Sequence, residues 1–346
     1  MAVRLVDIAK LTNIDVGTVS RVLSGKVREA RVSANRAKLI RAAAESLGYR
    51  PNAAARAMIR GSFNCLSLVI STTGDTGTIT QAAMNGMHDE LATHDMHLNV
   101  TFVPAAKLAS EDYIPKILRE EMVDALVLNY THQIPPRMAE LIRQYNIPAI
   151  YMNARREADC VYFDDAGATE AATRHLLELG HRRIAYANLC VPLDEVNPHY
   201  SVTDRREGHL RAMREAGLEP MLLQRAQKGQ GPTRQQAMHD LLTGPKRPTA
   251  LVAYSPAEVQ AAYVAALRLG LDVPADLSII VFDASPVAVA SQTFDTWRLP
   301  HAELGREAAR MARLKIASPQ DPLPPRVLPA QFSAGQSTNH SPDQLT

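Results

Sequence analysis

The sequence predicts an α/β protein, with an all-α helix-turn-helix head at the amino terminus followed by a larger core of doubly wound parallel sheets. Three observations predict it. Two short helical patterns separated by a tight break open the chain, positive charge is concentrated in the first sixty residues, and apolar strand-like runs alternate with helical patterns from Cys65 onward. At 346 residues the chain is long enough for two or three domains. Its hydrophobic content of 46% and charged content of 21% are those of an ordinary globular protein.

In the first pattern Val6, Ile8, Ala9 and Leu11 are apolar; in the second, Val19, Val22 and Leu23 are. The break is Thr12-Asn13-Ile14-Asp15. Asn13 suits a left-handed turn conformation, and Asp15 is placed to cap the second helix by accepting from its free amides. A second helix of this kind enters the major groove of DNA, which makes Val16, Gly17, Thr18, Ser20 and Arg21 the exposed reading set and Arg21 the residue suited to a guanine edge. An ordinary helical hairpin with a solvated polar face fits the same pattern. Charge separates the two readings: residues 1–60 hold 12 Lys or Arg against 4 Asp or Glu, whereas the whole chain has a net charge of only +2. A basic head on an acidic body is the footprint of a protein whose head alone meets a polyanion.

Ser24 to Arg31 reads as a basic loop. Ser33 then caps a third helix with Ala37, Ile40, Ala43, Ala44 and Leu47 at helical spacing, and Gly48 ends it.

Asp7-Ile8-Ala9, Thr18-Val19-Ser20-Arg21-Val22-Leu23, Val32-Ser33 and Leu47-Gly48-Tyr49-Arg50-Pro51-Asn52-Ala53-Ala54-Ala55-Arg56 stand in order at fitting distances. Together they resemble the DNA-binding head and hinge of the lac repressor family of bacterial transcription regulators. The resemblance implies a head over residues 1–50, a hinge helix and linker over 51–62, and a homodimer on double-stranded operator DNA. It implies phosphate contacts from Arg31, Ser33, Arg36, Asn52 and Arg56. Asn52 to Arg60 is too short to be helical alone in water, and in the family it orders when two copies pair over the minor groove. Met58 then falls at the position that wedges into the central base step, unless it is a plain linker residue. The chain departs from the family pattern at Arg4, Asn13, Asp15 and Arg36-Ala37. Asp15 puts a carboxylate near the phosphates, which costs affinity that Arg28, Arg31 and Arg36 offset.

Beyond Cys65, strands are predicted at Leu66 to Ser71, His97 to Val103, Ala125 to Tyr130, Pro148 to Asn153, Arg183 to Asn188, Ala250 to Tyr254, Ser278 to Asp283 and Phe294 to Leu299. Helices are predicted between them, including Glu111 to Glu121, and Ala302 to Ile316 follows the last strand. The number of strands fits two sheets. Asp164-Asp165, His175 to Ala185, Arg205-x-x-Gly208, Leu267 to Ser278 and Phe282-Asp283 resemble the family's sensor core, which is similar to periplasmic sugar-binding proteins. This implies two lobes joined by three crossovers over residues 63–332, the first 63–163 plus 295–320 and the second 164–294 plus 321–332. Residues 333–346 read as a disordered polar tail. No leucine heptad follows the core, so a dimer is expected without a tetramer-forming helix.

Ligands of parallel sheets sit beyond the carboxyl ends of the strands. There the resemblance assigns effector contacts to Arg205 and Asp283, against the alternative of a structural Arg-Asp pair across the cleft. Tyr254-Ser255 and Gly77-Thr78-Ile79-Thr80 depart from the family, so Thr72, Thr73, Asp75, Thr78, Tyr254 and Ser255 would remake the contacts to a sugar or sugar derivative. A degenerate cleft controlled by a protein partner or a non-sugar ligand is the competing reading. Trp297 reads as a strand core residue rather than a ligand platform. Cys65, Cys160 and Cys190 have no metal or disulfide spacing, the histidines lack metal-ligand spacing, and Gly74-x-x-Gly77 lacks the third glycine of a dinucleotide fingerprint. No catalytic constellation is visible, so neither an enzyme nor a cofactor is expected. With no signal peptide and no run long enough for a membrane span, the expected location is the cytoplasm.

Overall fold

The structure is a computed structural model that describes residues 3–25, 32–71, 79–104, 107, 108, 110, 112–130, 134–227 and 230–344, with the side chains of residues 53, 54, 58, 59 and 344 outside that description. Arg31, Thr72, Thr73, Asp75, Thr78 and the Met58 side chain therefore lie outside the described residues. The chain divides into two units, Met1–Phe63 and Asn64–Thr346.

In the first unit, α1 (Leu5–Thr12), α2 (Val16–Leu23) and α3 (Ala34–Ser46) bury Ile8, Val19, Val22, Ala37 and Ile40 against one another. Asn13 takes the left-handed conformation at φ 50°, which lets its amide close α1 on the Ala9 carbonyl. The Ser33 hydroxyl accepts from the Arg36 amide at 3.4 Å, and Gly48 leaves α3 with φ 65°. After Pro51 comes α4 (Ala53–Arg60), where the Asn52 side chain accepts from the Ala55 amide at 3.1 Å and Gly61 ends the helix.

The second unit holds two sheets. The first, in the order β12 (Arg326–Leu328), β5 (Cys160–Phe163), β4 (Ala149–Met152), β3 (Ala125–Asn129), β1 (Cys65–Ser71), β2 (His97–Val103), is parallel throughout. The second runs β10 (Val287–Val289), β11 (Gln292–Arg298), β9 (Ser278–Asp283), β8 (Ala250–Ala253), β6 (Ile184–Asn188), β7 (Met221–Gln224). Its strands from β11 to β7 are parallel, while β10 and β13 (Gln331–Ser333) pair antiparallel with β11. Every residue of β3, β4, β6 and β8 is buried, as strands covered by helices on both faces must be.

Helices α5 (Gln81–Ala92) and α12 (His301–Ala317) cover one face of the first sheet and cross at two glycines. A Cβ on Gly86 would stand 1.9 Å from the Ala302 carbonyl oxygen, and one on Gly305 would stand 1.9 Å from that of Ala83. No larger residue fits either place.

The structure corrects four expectations. Among the described residues of the expected Glu111 to Glu121 helix only α6 (Lys116–Arg119) is helical, because Pro115 cannot continue a helix begun before it. The short strands β5, β7, β10, β12 and β13, each of three or four residues, are additional to those predicted. The lobe boundaries also shift. β11 belongs to the second sheet, so the chain crosses back at Leu299 and Pro300, and β12 stays in the first sheet, so the last crossover is near residue 330.

Finally, the tail is ordered to residue 344. Asp295, buried on β11, accepts from the Gly335 amide at 2.9 Å, the Ser337 amide at 3.0 Å and the Thr338 hydroxyl at 3.1 Å. The Asn339 amide donates to Ser278 Oγ at 3.0 Å, and Arg183 pairs with Asp343 at 2.9 Å. A polar composition suits a strap whose partners are buried polar groups as well as it suits a solvated tail. Trp297 packs under this strap, 4.6 Å from the Phe332 ring, as a core residue.

Candidate DNA interface and effector cleft

Helix α2 begins where Asp15 Oδ1 accepts from the Thr18 amide at 2.8 Å. That hydrogen bonding from Thr18 holds the Asp15 carboxyl below its ordinary pKa, so the residue is ionised at the positive end of the helix. Val16 (41% exposed), Gly17 and Arg21 face solvent and Ser20 is half-buried. Thr18 departs from the expected reading set. It is only 8% exposed, because it lies one turn before Val22 on the packed face. Within the same unit, Arg4, Ser20, Ser24, Arg50, Asn52 and Arg56 line a groove of about 460 Å³. Ser33 and Arg36 are exposed on the first turn of α3. The structure thus gathers Ser20, Asn52 and Arg56 and leaves Ser33 and Arg36 on a separate exposed edge.

The second candidate site lies at the carboxyl ends of the strands. Arg205, on α9 (Tyr200–Glu215), is buried; its Nε donates to Asp165 Oδ1 at 2.6 Å and its Nη1 to the Tyr254 carbonyl at 2.6 Å. Its guanidinium lies 4.7 Å from the Tyr254 ring and 4.8 Å from the Phe282 ring. Burial opposes the guanidinium charge, yet the Asp165 carboxylate holds the Arg205 pKa above the ordinary arginine value. The alternative of a structural pair between Arg205 and Asp283 is not what is found, since the carboxylate on Arg205 is Asp165. Asp283 bonds the Ala284 amide at 2.7 Å and faces His301, whose pKa burial lowers against the opposing pull of that carboxylate.

The Tyr254 hydroxyl lies 2.9 Å from that of Ser201. Ser255 is not free to meet a ligand as expected. It starts α11 (Pro256–Arg268), and its hydroxyl donates to the fully buried Glu258 carboxylate at 2.6 Å while accepting from the Ala257 amide at 3.3 Å. A Ser-x-x-Glu sequence before a helix is a capping box, a signal that was legible.

The sequence reasoning did not single out the residues that join the lobes beside Arg205. His199 Nε2 is 2.9 Å from the Asn153 carbonyl, and Tyr200 donates its hydroxyl to Asn153 Oδ1 at 3.1 Å while accepting from the Phe163 amide at 3.0 Å. Arg155 bonds both oxygens of Asp204, at 2.7 and 2.9 Å. Tyr130, Asn153, Arg155, Arg156, His199 and Tyr200 line a cavity of about 320 Å³ at this junction. Among the described residues no group of three or more His, Cys, Asp or Glu could hold a metal ion, and no helix is long and apolar enough to cross a membrane.

Comparison with known proteins agrees with this geometry. Residues 4–52 match the bacterial regulatory proteins of the lacI family, and residues 173–338 match a periplasmic binding protein-like domain. The transcriptional regulator AglR of Rhizobium meliloti (strain 1021) is 30% identical over 293 residues, 82% of this chain and 78% of that protein. The lac repressor dimer bound to operator and the anti-inducer ONPF superposes with a TM-score of 0.78 at 19% identity, covering 98% of this chain and 100% of that one. The complex of the transcriptional regulator CelR with cellobiose gives 0.64 at 23% identity, covering 97% and 99%. With a helix-turn-helix head, a two-sheet core and relatives of this kind along most of its length, the chain belongs to the lacI family and is a DNA-binding transcriptional regulator.

Proposed function

We propose that the protein is a repressor of carbohydrate-utilisation genes that binds a nearly palindromic operator as a homodimer. A small-molecule effector, a sugar or sugar derivative, would occupy the cleft beside Arg205. Two α2 helices enter successive major grooves, where Arg21 reads a guanine edge and Val16 and Gly17 make apolar or shape contacts. Asn52 and Arg56, in the basic groove, and Arg31, Ser33 and Arg36 supply phosphate contacts and the salt-dependent share of affinity, while Met58 wedges into the central step. The effector acts by preferring one arrangement of the lobes, which biases the hinge helix.

One observation carries this reading: an Asp15-capped helix holds Arg21 and Val16 in solvent over a buried three-helix core. The solved lac repressor dimer on its operator and the CelR complex with cellobiose support the DNA, dimer and sugar parts by likeness. The test is Arg21→Ala, measured on operator and on random duplex. An operator-specific loss of about 1–3 kcal/mol, roughly five- to 150-fold, is expected; equal losses on both, or promoter retention after deletion of residues 1–60, overturn it.

A second reading, control by a partner protein or a non-sugar ligand, is favoured by the Ser255 hydroxyl being turned onto Glu258. A thermal-shift panel of sugars separates the two, since a true ligand at a hundred times its Kd adds about 2.7 kcal/mol of stability.

A further inference from the structure

Arg205 does not stand in the cleft as a free cation. Its Nε is held by Asp165, which is 1% exposed, and its Nη1 by the Tyr254 carbonyl. Among the described residues Nη2 has no hydrogen-bond partner, and neither does Asp165 Oδ2. Asp283 adds a second carboxylate at the end of β9, and His301 beside it is kept neutral by burial. Of the two other arginines at the junction, Arg155 already meets both oxygens of Asp204, and Arg156 lies 4.1 Å from the Tyr151 ring.

We propose that Asp165 is the residue that sets the charge class of the effector: by neutralising Arg205 from within, it makes the cleft a site for uncharged, hydroxyl-bearing ligands and closes it to carboxylates and phosphates. The proposal deepens the effector reading above and rests on it for the location of the site. A planar guanidinium with two nitrogens engaged still offers Nη2 to a ligand hydroxyl, and the Asp283 carboxylate can accept hydroxyl hydrogens. An anionic ligand at Arg205 would have to share that cation with the buried Asp165 carboxylate and approach the carboxylate of Asp283. Like charges in a site of low dielectric repel strongly, so such a ligand is excluded.

The test uses the full chain and inorganic phosphate, compared with chloride at equal ionic strength, in thermal-shift and calorimetric titrations. Phosphate should leave the wild type no more stable than chloride does. Asp165→Asn should bind phosphate at least tenfold more tightly than the wild type, and adding Arg205→Gln should remove that gain. Wild-type stabilisation by phosphate equal to that of Asp165→Asn overturns the proposal, as does a folded Asp165→Asn with no gain. Should Asp165→Asn fail to fold, the wild type decides against the pairs ribose and ribose 5-phosphate, galactose and galacturonate, and cellobiose and cellobionate. Tighter binding of any anionic member overturns the proposal, and rejection of all three together with no phosphate stabilisation supports it. A gain of phosphate binding in Asp165→Asn, with a wild type unmoved by every neutral sugar, would sink the sugar-effector reading and keep the charge assignment.

Discussion

Arg155 reaches from the segment after β4, in the first sheet, to grip both carboxylate oxygens of Asp204 on α9, which lies against the second sheet. It is a link across the lobes in a region where ligand binding would move them. Burial raises the Asp204 pKa and Arg155 opposes that rise, so the pair holds a charge that the site alone would disfavour. Because Arg155 is 52% exposed, the link is weak, about 0.5–1 kcal/mol. Asp204→Asn is expected to shift the ligand-free lobes toward an open arrangement, seen as a larger radius of gyration in X-ray scattering. A double-mutant cycle with Arg155→Ala should return a coupling of that size.

Stability should fall on the acid side through the buried histidines. His209 lies beneath the second sheet, its Nδ1 3.2 Å from the Thr173 hydroxyl, and burial lowers its pKa from 6.5 to about 4. A depressed histidine contributes stability fully present above pH 6.5 and lost as pH falls toward 4, on the order of 3 kcal/mol. Burial also lowers the pKa of His181 and His301, with the same sign. Urea unfolding at pH 7.5 and pH 5 should show the loss, and His209→Gln should make it shallower.

Asp15→Asn keeps a good helix cap and removes a negative charge at the DNA face. Binding to a mixed-sequence duplex should tighten several-fold at low salt, and the gain should shrink as salt rises. Fluorescence anisotropy across a salt series measures it; unchanged affinity at low salt would place Asp15 away from the phosphates.

Asp295→Ala strands the amides of Gly335 and Ser337 in the interior. The expected cost is about 3 kcal/mol, by analogy with unsatisfied buried donors. Thermal unfolding should register it, and limited proteolysis should cut the strap after Ser333 in the variant before it cuts the wild type.

Much of this molecule could be read from local chemistry. The head was legible because Asn13, Asp15, Ser33 and Gly48 each satisfy one helix end within four residues. The long buried strands were legible from their apolar runs. What escaped depends on partners far away in sequence. Arg205 was read as an effector contact or as one half of a pair with Asp283, yet its carboxylate is Asp165, forty residues away on the preceding helix of the same lobe. The strap was read as solvated because nothing in Ser337 or Thr338 announces a buried Asp295. Thr18 was assigned to the reading face by helical position alone, although the same period places it over Val22.

The reciprocal glycine crossing of α5 and α12 joins residues 86 and 305, so the first lobe cannot be finished until its helix from the far end of the chain arrives. The second lobe waits even longer, for β13 and the residues that fasten to Asp295. During translation the basic head therefore leaves the ribosome while both lobes behind it are still unfinished.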